Sequence, residues 1–156
     1  MLLIVVSTVA GCTPVPKGLL AVERTDTGGA RALIAPCPGY QSLQFSVYST
    51  GGSSGYQRWA IINDAMGGSL SQVELFSAPA GWSTTESALK DLKGANKYTL
   101  TLDGAIRGRG LDGEVTFTPD QLEALQTGKV IVADGEGTKV VSRSAFMKDE
   151  SARCSP

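Results

Sequence analysis

Apolar and polar residues alternate with a period of two in several short stretches, the spacing of a strand that buries one of its faces. Leu43, Phe45 and Val47 fall on one side of such a segment and Gln44, Ser46 and Tyr48 on the other. Tyr98, Leu100 and Leu102 alternate with polar neighbours in the same way. Apolar, β-branched and aromatic residues predict further strands at Leu19 to Arg24, Ala30 to Ala35, Arg58 to Asn63, Gln72 to Ser77, Glu114 to Thr118, Lys129 to Ala133 and Thr138 to Val141. Glycine clusters (Gly28-Gly29, Gly51-Gly52, Gly67-Gly68, Gly108 and Gly110) punctuate the chain at short intervals. Roughly eight or nine strands in one domain imply two packed sheets or a closed barrel.

Helical signals are fewer. Thr118 before Pro119-Asp-Gln-Leu-Glu-Ala-Leu125 supplies a cap, a proline at the first helical position and early acids, which predict a short helix. Ser83-Thr-Thr-Glu86 fits a capping box, with Ala88, Leu89 and Leu92 placed on one helical face and Gly94 as a stop. A short helix or helical turn is expected there. Ser142 to Ala152 is a candidate for a last exposed helix carrying Phe146 and Met147.

Leu92-Lys-Gly-Ala-Asn-Lys-Tyr98 places a leucine and a tyrosine on either side of a glycine-containing turn. This dozen or so residues resembles the corner before strand F of fibronectin type III and related immunoglobulin-like sandwiches, although the usual proline is absent. The resemblance implies a tyrosine corner, whose hydroxyl bonds back to the turn, and makes part of the preceding stretch a strand. The expected fold is mostly β: a two-sheet antiparallel, immunoglobulin-like sandwich with one or two short helices. It carries no implication for function.

The first residues break the alternation. MLLIVVSTVA is a continuous apolar run closing on small residues, followed by Gly11 and Cys12. Ten residues fall short of the about 20 a membrane-crossing helix needs, and they suit the apolar core of a signal peptide. Val9-Ala10-Gly11-Cys12 resembles the bacterial lipobox, an aliphatic residue and two small ones before a cysteine. Only Met1 precedes the apolar run, where that family has Lys or Arg. The resemblance implies that residues 1–11 are a lipoprotein signal peptide and that Cys12 takes diacylglycerol on its thiol. Residues 12–18, with two prolines and no apolar periodicity, read as a tether, and 19–156 as the domain. A buried N-terminal strand followed by an ordinary cysteine is the competing reading.

Composition narrows the chemistry. With Cys12 acylated, Cys37 and Cys154 remain, and an even pair in an exported chain favours one disulfide. The 14 basic and 15 acidic residues nearly balance, which argues against a phosphate-tracking surface and so against nucleic acid. The sequence has no histidine, so the commonest general base and the usual partner of a serine or cysteine nucleophile are missing. No cofactor is implied and no metal site is expected. Asp103, Asp112, Glu114, Asp134 and Glu136 sit in or beside glycine-rich turns without the alternating spacing of a calcium loop.

Four residues stand out as candidates for binding a partner. Tyr56 follows the serine- and glycine-rich run Ser49 to Gly55, while the nearby Trp59 is expected in the core. Trp82, between Gly81 and Ser83, is a candidate exposed aromatic. Arg107 and Arg109, among glycines, suit an acidic or phosphate group, although a solvated loop is the plainer reading. The expectation is a noncatalytic binding or structural module of the cell envelope, lipid-anchored on the extracytoplasmic face of the membrane. An envelope protein or a wall component is its expected partner. Alternatives are an accessory subunit of a membrane complex, or a carboxylate-based enzyme or small-ligand carrier, which requires a deep pocket lined by Asp103, Asp112 or Glu136.

Overall fold

The computed structural model describes residues 18–50, 55–65, 68–93, 97–148 and 153–155. The leader, Cys12 and the tether up to Lys17 lie outside the described residues, as does Gly94. Eleven strands and two short helices follow one another among the rest. Strands β1 (Leu20–Arg24), β2 (Ala30–Ile34), β5 (Gln72–Glu74), β10 (Lys129–Asp134) and β11 (Gly137–Ser142) form the first sheet, in the order β11-β10-β1-β2-β5. Strands β3 (Tyr40–Thr50), β4 (Arg58–Asn63), β6 (Trp82–Ser87), β7 (Lys97–Ile106), β8 (Arg109–Gly110) and β9 (Gly113–Phe117) form the second. Its order is β6-β4-β3-β7-β8, with β9 also paired to β7. Every pairing is antiparallel. Three strands of each sheet, β1-β2-β5 and β3-β7-β9, form the body of a two-sheet antiparallel sandwich. β4 and β6 extend the second sheet, and β10 and β11 the first.

Residues facing inward from the two sheets meet in one core. Phe45, Val47, Ile61, Leu100 and Leu102 of the second sheet are fully buried, as are Leu20, Val22 and Ala32 of the first. The expected alternation fails at one place. A bulge between Ser42 and Gln44 takes Leu43 out of the ladder, so it is 44% exposed instead of sharing the buried face with Phe45 and Val47. β7 runs through Asp103 and Gly104, which were expected in a turn. A Cβ at Gly104 would stand inside the ring and hydroxyl of Tyr40 and against the Gln41 carbonyl, so only glycine fits this close crossing.

The stretch expected to be helical from Ser83 is strand β6. It pairs with the edge of β4, Ala60 opposite Glu86 and Ile62 opposite Ser83, and this ladder outweighs the local capping signal. Leu89 then turns inward, 4% exposed, and leads to the corner. There the buried Tyr98 hydroxyl accepts a hydrogen bond from the Lys93 amide at 2.8 Å and donates one to the Lys93 carbonyl at 3.0 Å, forming the expected tyrosine corner. β5 is shorter than expected because Phe76 adopts φ 67° just beyond it.

Helix α1 (Pro119–Glu123) forms as expected, with a reciprocal capping box between Thr118 and Gln121. Helix α2 (Arg143–Lys148) lies against the outer side of the first sheet and buries Phe146 to 1% exposure beside Val132 and Val141. The Arg153 guanidinium covers the Phe146 ring at 4.6 Å and donates to the Phe146 carbonyl at 2.7 Å. Cys154 is disulfide-bonded to Cys37 across 117 residues, so the tail is clamped over α2 and the sheet. The Glu23 carboxylate, mostly buried, joins this lid to the sheet by accepting from Arg143 at 3.2 Å and from Arg31 at 3.1 Å.

Candidate functional site

The outer face of the first sheet is covered by the α2 lid, whereas none of the described elements packs on the outer face of the second. Three cross-strand rows make up that open face. Arg58, Tyr48, Thr99 and Thr116 stand in the first, Ala60, Ser46, Thr101 and Glu114 in the next, and Ile62, Gln44 and Asp103 in the third. They point outward because their sequence neighbours point into the core. Although the face is open, its floor is dry. Ser46 is 1% exposed, Ala60 0% and Thr99 3%, with the Arg58 guanidinium reaching over Ser46.

The floor's hydroxyls are tied to one another. Ser46 and Thr101 lie 2.7 Å apart, Thr99 and Thr116 2.8 Å. Arg58 crosses above them, bonding Ser46 at 3.3 Å and Glu86 at 2.9 Å, while its buried Nε takes no hydrogen bond. Tyr56, 68% exposed, leans on Tyr48 with ring centroids 5.8 Å apart. Burial, followed by the nearby Glu114, pushes the Tyr48 phenol above its ordinary value, so it stays neutral and able to donate. Ile62, 38% exposed, adds an apolar element beside Gln44. A fixed polar floor with an exposed aromatic and an aliphatic side chain is suited to holding a surface or chain by contact.

Asp103 sits at the end of this face. Burial raises its carboxyl above the usual range, the charge of Asp112 raises it further, and Arg58 partly offsets both. Beneath, the buried Tyr40 hydroxyl donates to the Leu111 carbonyl at 3.0 Å. Burial and the charges of Asp112 and Asp103 push that phenol strongly upward. Two acids and a neutral phenol do not make a metal site, and no group of three or more ligating residues occurs among the described residues.

The other sequence candidates separate. Trp82 is not an exposed aromatic: it is partly buried and packs against the core, since its place opposite Asn63 turns it inward from β6. Trp59 is in the core as expected, edge-on to Phe45 and Phe76. Arg107 and Arg109 are exposed on the tight β7–β8 hairpin, where Arg107 at φ 51° and Gly108 at φ 76° form the two-residue turn. They line none of the clefts below and lie apart from Tyr56. Of the four partner-binding candidates, Tyr56 alone stands on the open face. Arg58, beside Tyr56 in the sequence, stands there too, whereas Ser46, Tyr48 and Ile62 were missed because alternation assigns residues to a polar side without saying which strands share it.

Clefts also open at the rim of this face and beyond it. One of about 470 Å³ runs between β9 and the β10–β11 hairpin, with Lys97, Glu114, Phe117, Gln121 and Glu136 on its walls. Another of about 310 Å³ lies beside the β1–β2 turn, between Phe76, Leu92, Pro119 and Leu122. Glu136 lines the first; Asp103 and Asp112 line neither. Asp134 ends β10 and bonds Lys139 across the hairpin at 3.1 Å. No protein-family model, no curated protein and no solved structure matches the chain.

Proposed function

We propose that the protein is an exported lipoprotein, anchored to the membrane through Cys12, whose domain is a noncatalytic binding module of the cell envelope. The open outer face of the second sheet is its binding surface. The observation that carries this is the pairing of a dry, hydrogen-bonded floor with the exposed Tyr56 and Ile62 on a face that no described element covers. Large aromatics with a polar tip recur as anchors in such contacts. The signal-peptide and lipobox pattern of residues 1–12 supports the anchor.

The test is capture of envelope protein and wall fragments from detergent-solubilised membranes by wild-type domain and by Tyr56→Ala. Tyr56 is 68% exposed, so the variant should melt within about 0.5 kcal/mol of wild type. Its recovery of the partner should fall tenfold or more. Recovery of nothing by wild type, or equal recovery by the variant, would count against this face.

A further inference from the structure

β9 is an edge of the second sheet: it pairs with β7, and no described residue pairs with its other side. The ladder shows which backbone groups stand free there. Leu111 donates to the Gly104 carbonyl at 2.9 Å, so alternate residues of β7 turn toward this side, and Gly113, Val115 and Phe117 are the residues of β9 that bond them. Glu114 and Thr116, between these, turn their N–H and C=O outward. Thr118 would continue the row, but α1 has already used it. Its amide donates to the Gln121 side chain at 2.9 Å, and its carbonyl accepts from Leu122 at 3.1 Å.

Other edges carry features that discourage pairing. β6 is bulged against β4, β5 has three residues, and β11 carries Lys139 and runs straight into α2. The edge of β9 instead faces the cleft of about 470 Å³, whose opposite wall is the β10–β11 hairpin of the other sheet. Ala133 and Thr138, opposite each other in that hairpin, share its inner side with the buried Ile131. With Gly135 and Gly137 they keep that wall low and leave room for side chains. The slot ends at α1, where Gln121 donates to Thr138 at 3.4 Å.

We propose that this edge takes an extended peptide segment of another protein as an added strand. The backbone groups of Glu114 and Thr116 supply its hydrogen bonds, and an apolar residue of the segment faces Ala133 and Thr138. The cleft carries the carboxylates of Glu114 and Glu136 against one lysine, Lys97, so the segment is basic rather than acidic. A second copy of the chain does not fit. Pairing β9 to β9 about a two-fold axis sets the strands about 4.8 Å apart and brings both hairpins to the same side of the joined sheet, where each meets the other. The inference needs neither the lipid anchor nor the open face.

The experiment uses the full chain in detergent as bait for a phage library of random heptapeptides. Selected peptides should alternate apolar with polar residues and carry a basic one. At saturation they should slow hydrogen exchange at the Glu114 and Thr116 amides by roughly tenfold or more, and leave Val115, already bonded to β7, unchanged. Thr116→Pro removes an edge amide without breaking the ladder, and Ala133→Arg fills the slot. Either variant that melts like wild type should bind the peptides roughly tenfold more weakly. No enrichment over bare support, or equal binding by such a variant, overturns the proposal. Edge amides protected before any peptide is added overturn the occupant: protection lost on dilution points to a second copy, and protection kept points to a segment of this chain. Peptides lost with Tyr56→Ala and kept with Thr116→Pro lie on the open face, which overturns the edge site and leaves the proposed binding surface intact.

Discussion

At Gly104 the second sheet depends on the absence of a side chain, because Tyr40 fills the space above it and bonds Leu111 beyond. Gly104→Ala should destabilise by about 1 to 3 kcal/mol, the cost of overpacking, read from urea unfolding. The neighbouring Asp103 makes an opposite contribution. Its folded carboxyl holds its proton above the ordinary value of 3.8, so this group's contribution to stability falls as pH rises from 3.8 through the raised value and stays reduced above it. Asp103→Asn should therefore be slightly more stable than wild type at pH 7, with the advantage vanishing below pH ~4. The gain is small because the side chain is only partly withdrawn from water, which screens the repulsion. Melting curves across pH check the sign, and a variant less stable at pH 7 would show that the carboxylate is held in place by bonds worth more than the repulsion of Asp112.

Elements form here where a local signal and a neighbouring partner agree, and the partner prevails where they disagree. α1 has both its capping box and a buried Leu122. β6 has a helical cap in its sequence but a free ladder beside it on β4, and it becomes an edge strand. The corner that follows rests on two hydrogen bonds from one hydroxyl. Tyr98→Phe keeps the buried ring and removes both, so it should cost about 1 kcal/mol, since the freed Lys93 groups are near enough to solvent to find water. Hydrogen exchange should quicken at the Lys93 amide, while β3 and β7 keep their protection.

For the whole molecule, the disulfide ties the C-terminal tail to the loop after β2 and keeps the lid in place. In the chain-entropy model a closed loop of this length stabilises by at most about 5 kcal/mol. Cys154→Ser should lower stability by several kcal/mol and raise exchange selectively in α2, where Phe146 would lose the cover of Arg153. Uniform loss of protection across both sheets would instead show that the lid is part of the cooperative core.

Local chemistry alone determined a good part of this protein. Alternation marked β3 and β7, the Thr118-Pro119 cap marked α1, the spacing from Leu92 to Tyr98 marked the corner, and the pairing of Cys37 with Cys154 followed from cysteine count in a chain read as exported. Each depends on residues that are close in sequence, or on a choice with few alternatives. Tertiary structure decided the rest. Leu43 leaves the core because β7 pairs across a bulge, Trp82 turns inward because β6 finds the edge of β4, and α2 with Arg153 and Cys154 becomes a lid because the first sheet has an apolar outer side to cover. The candidate binding face belongs to this second group. Tyr56 was visible as a lone aromatic beside a glycine-rich run, but its floor is assembled from β3, β4, β7 and β9, and a surface made by pairing distant strands leaves no contiguous pattern in the sequence.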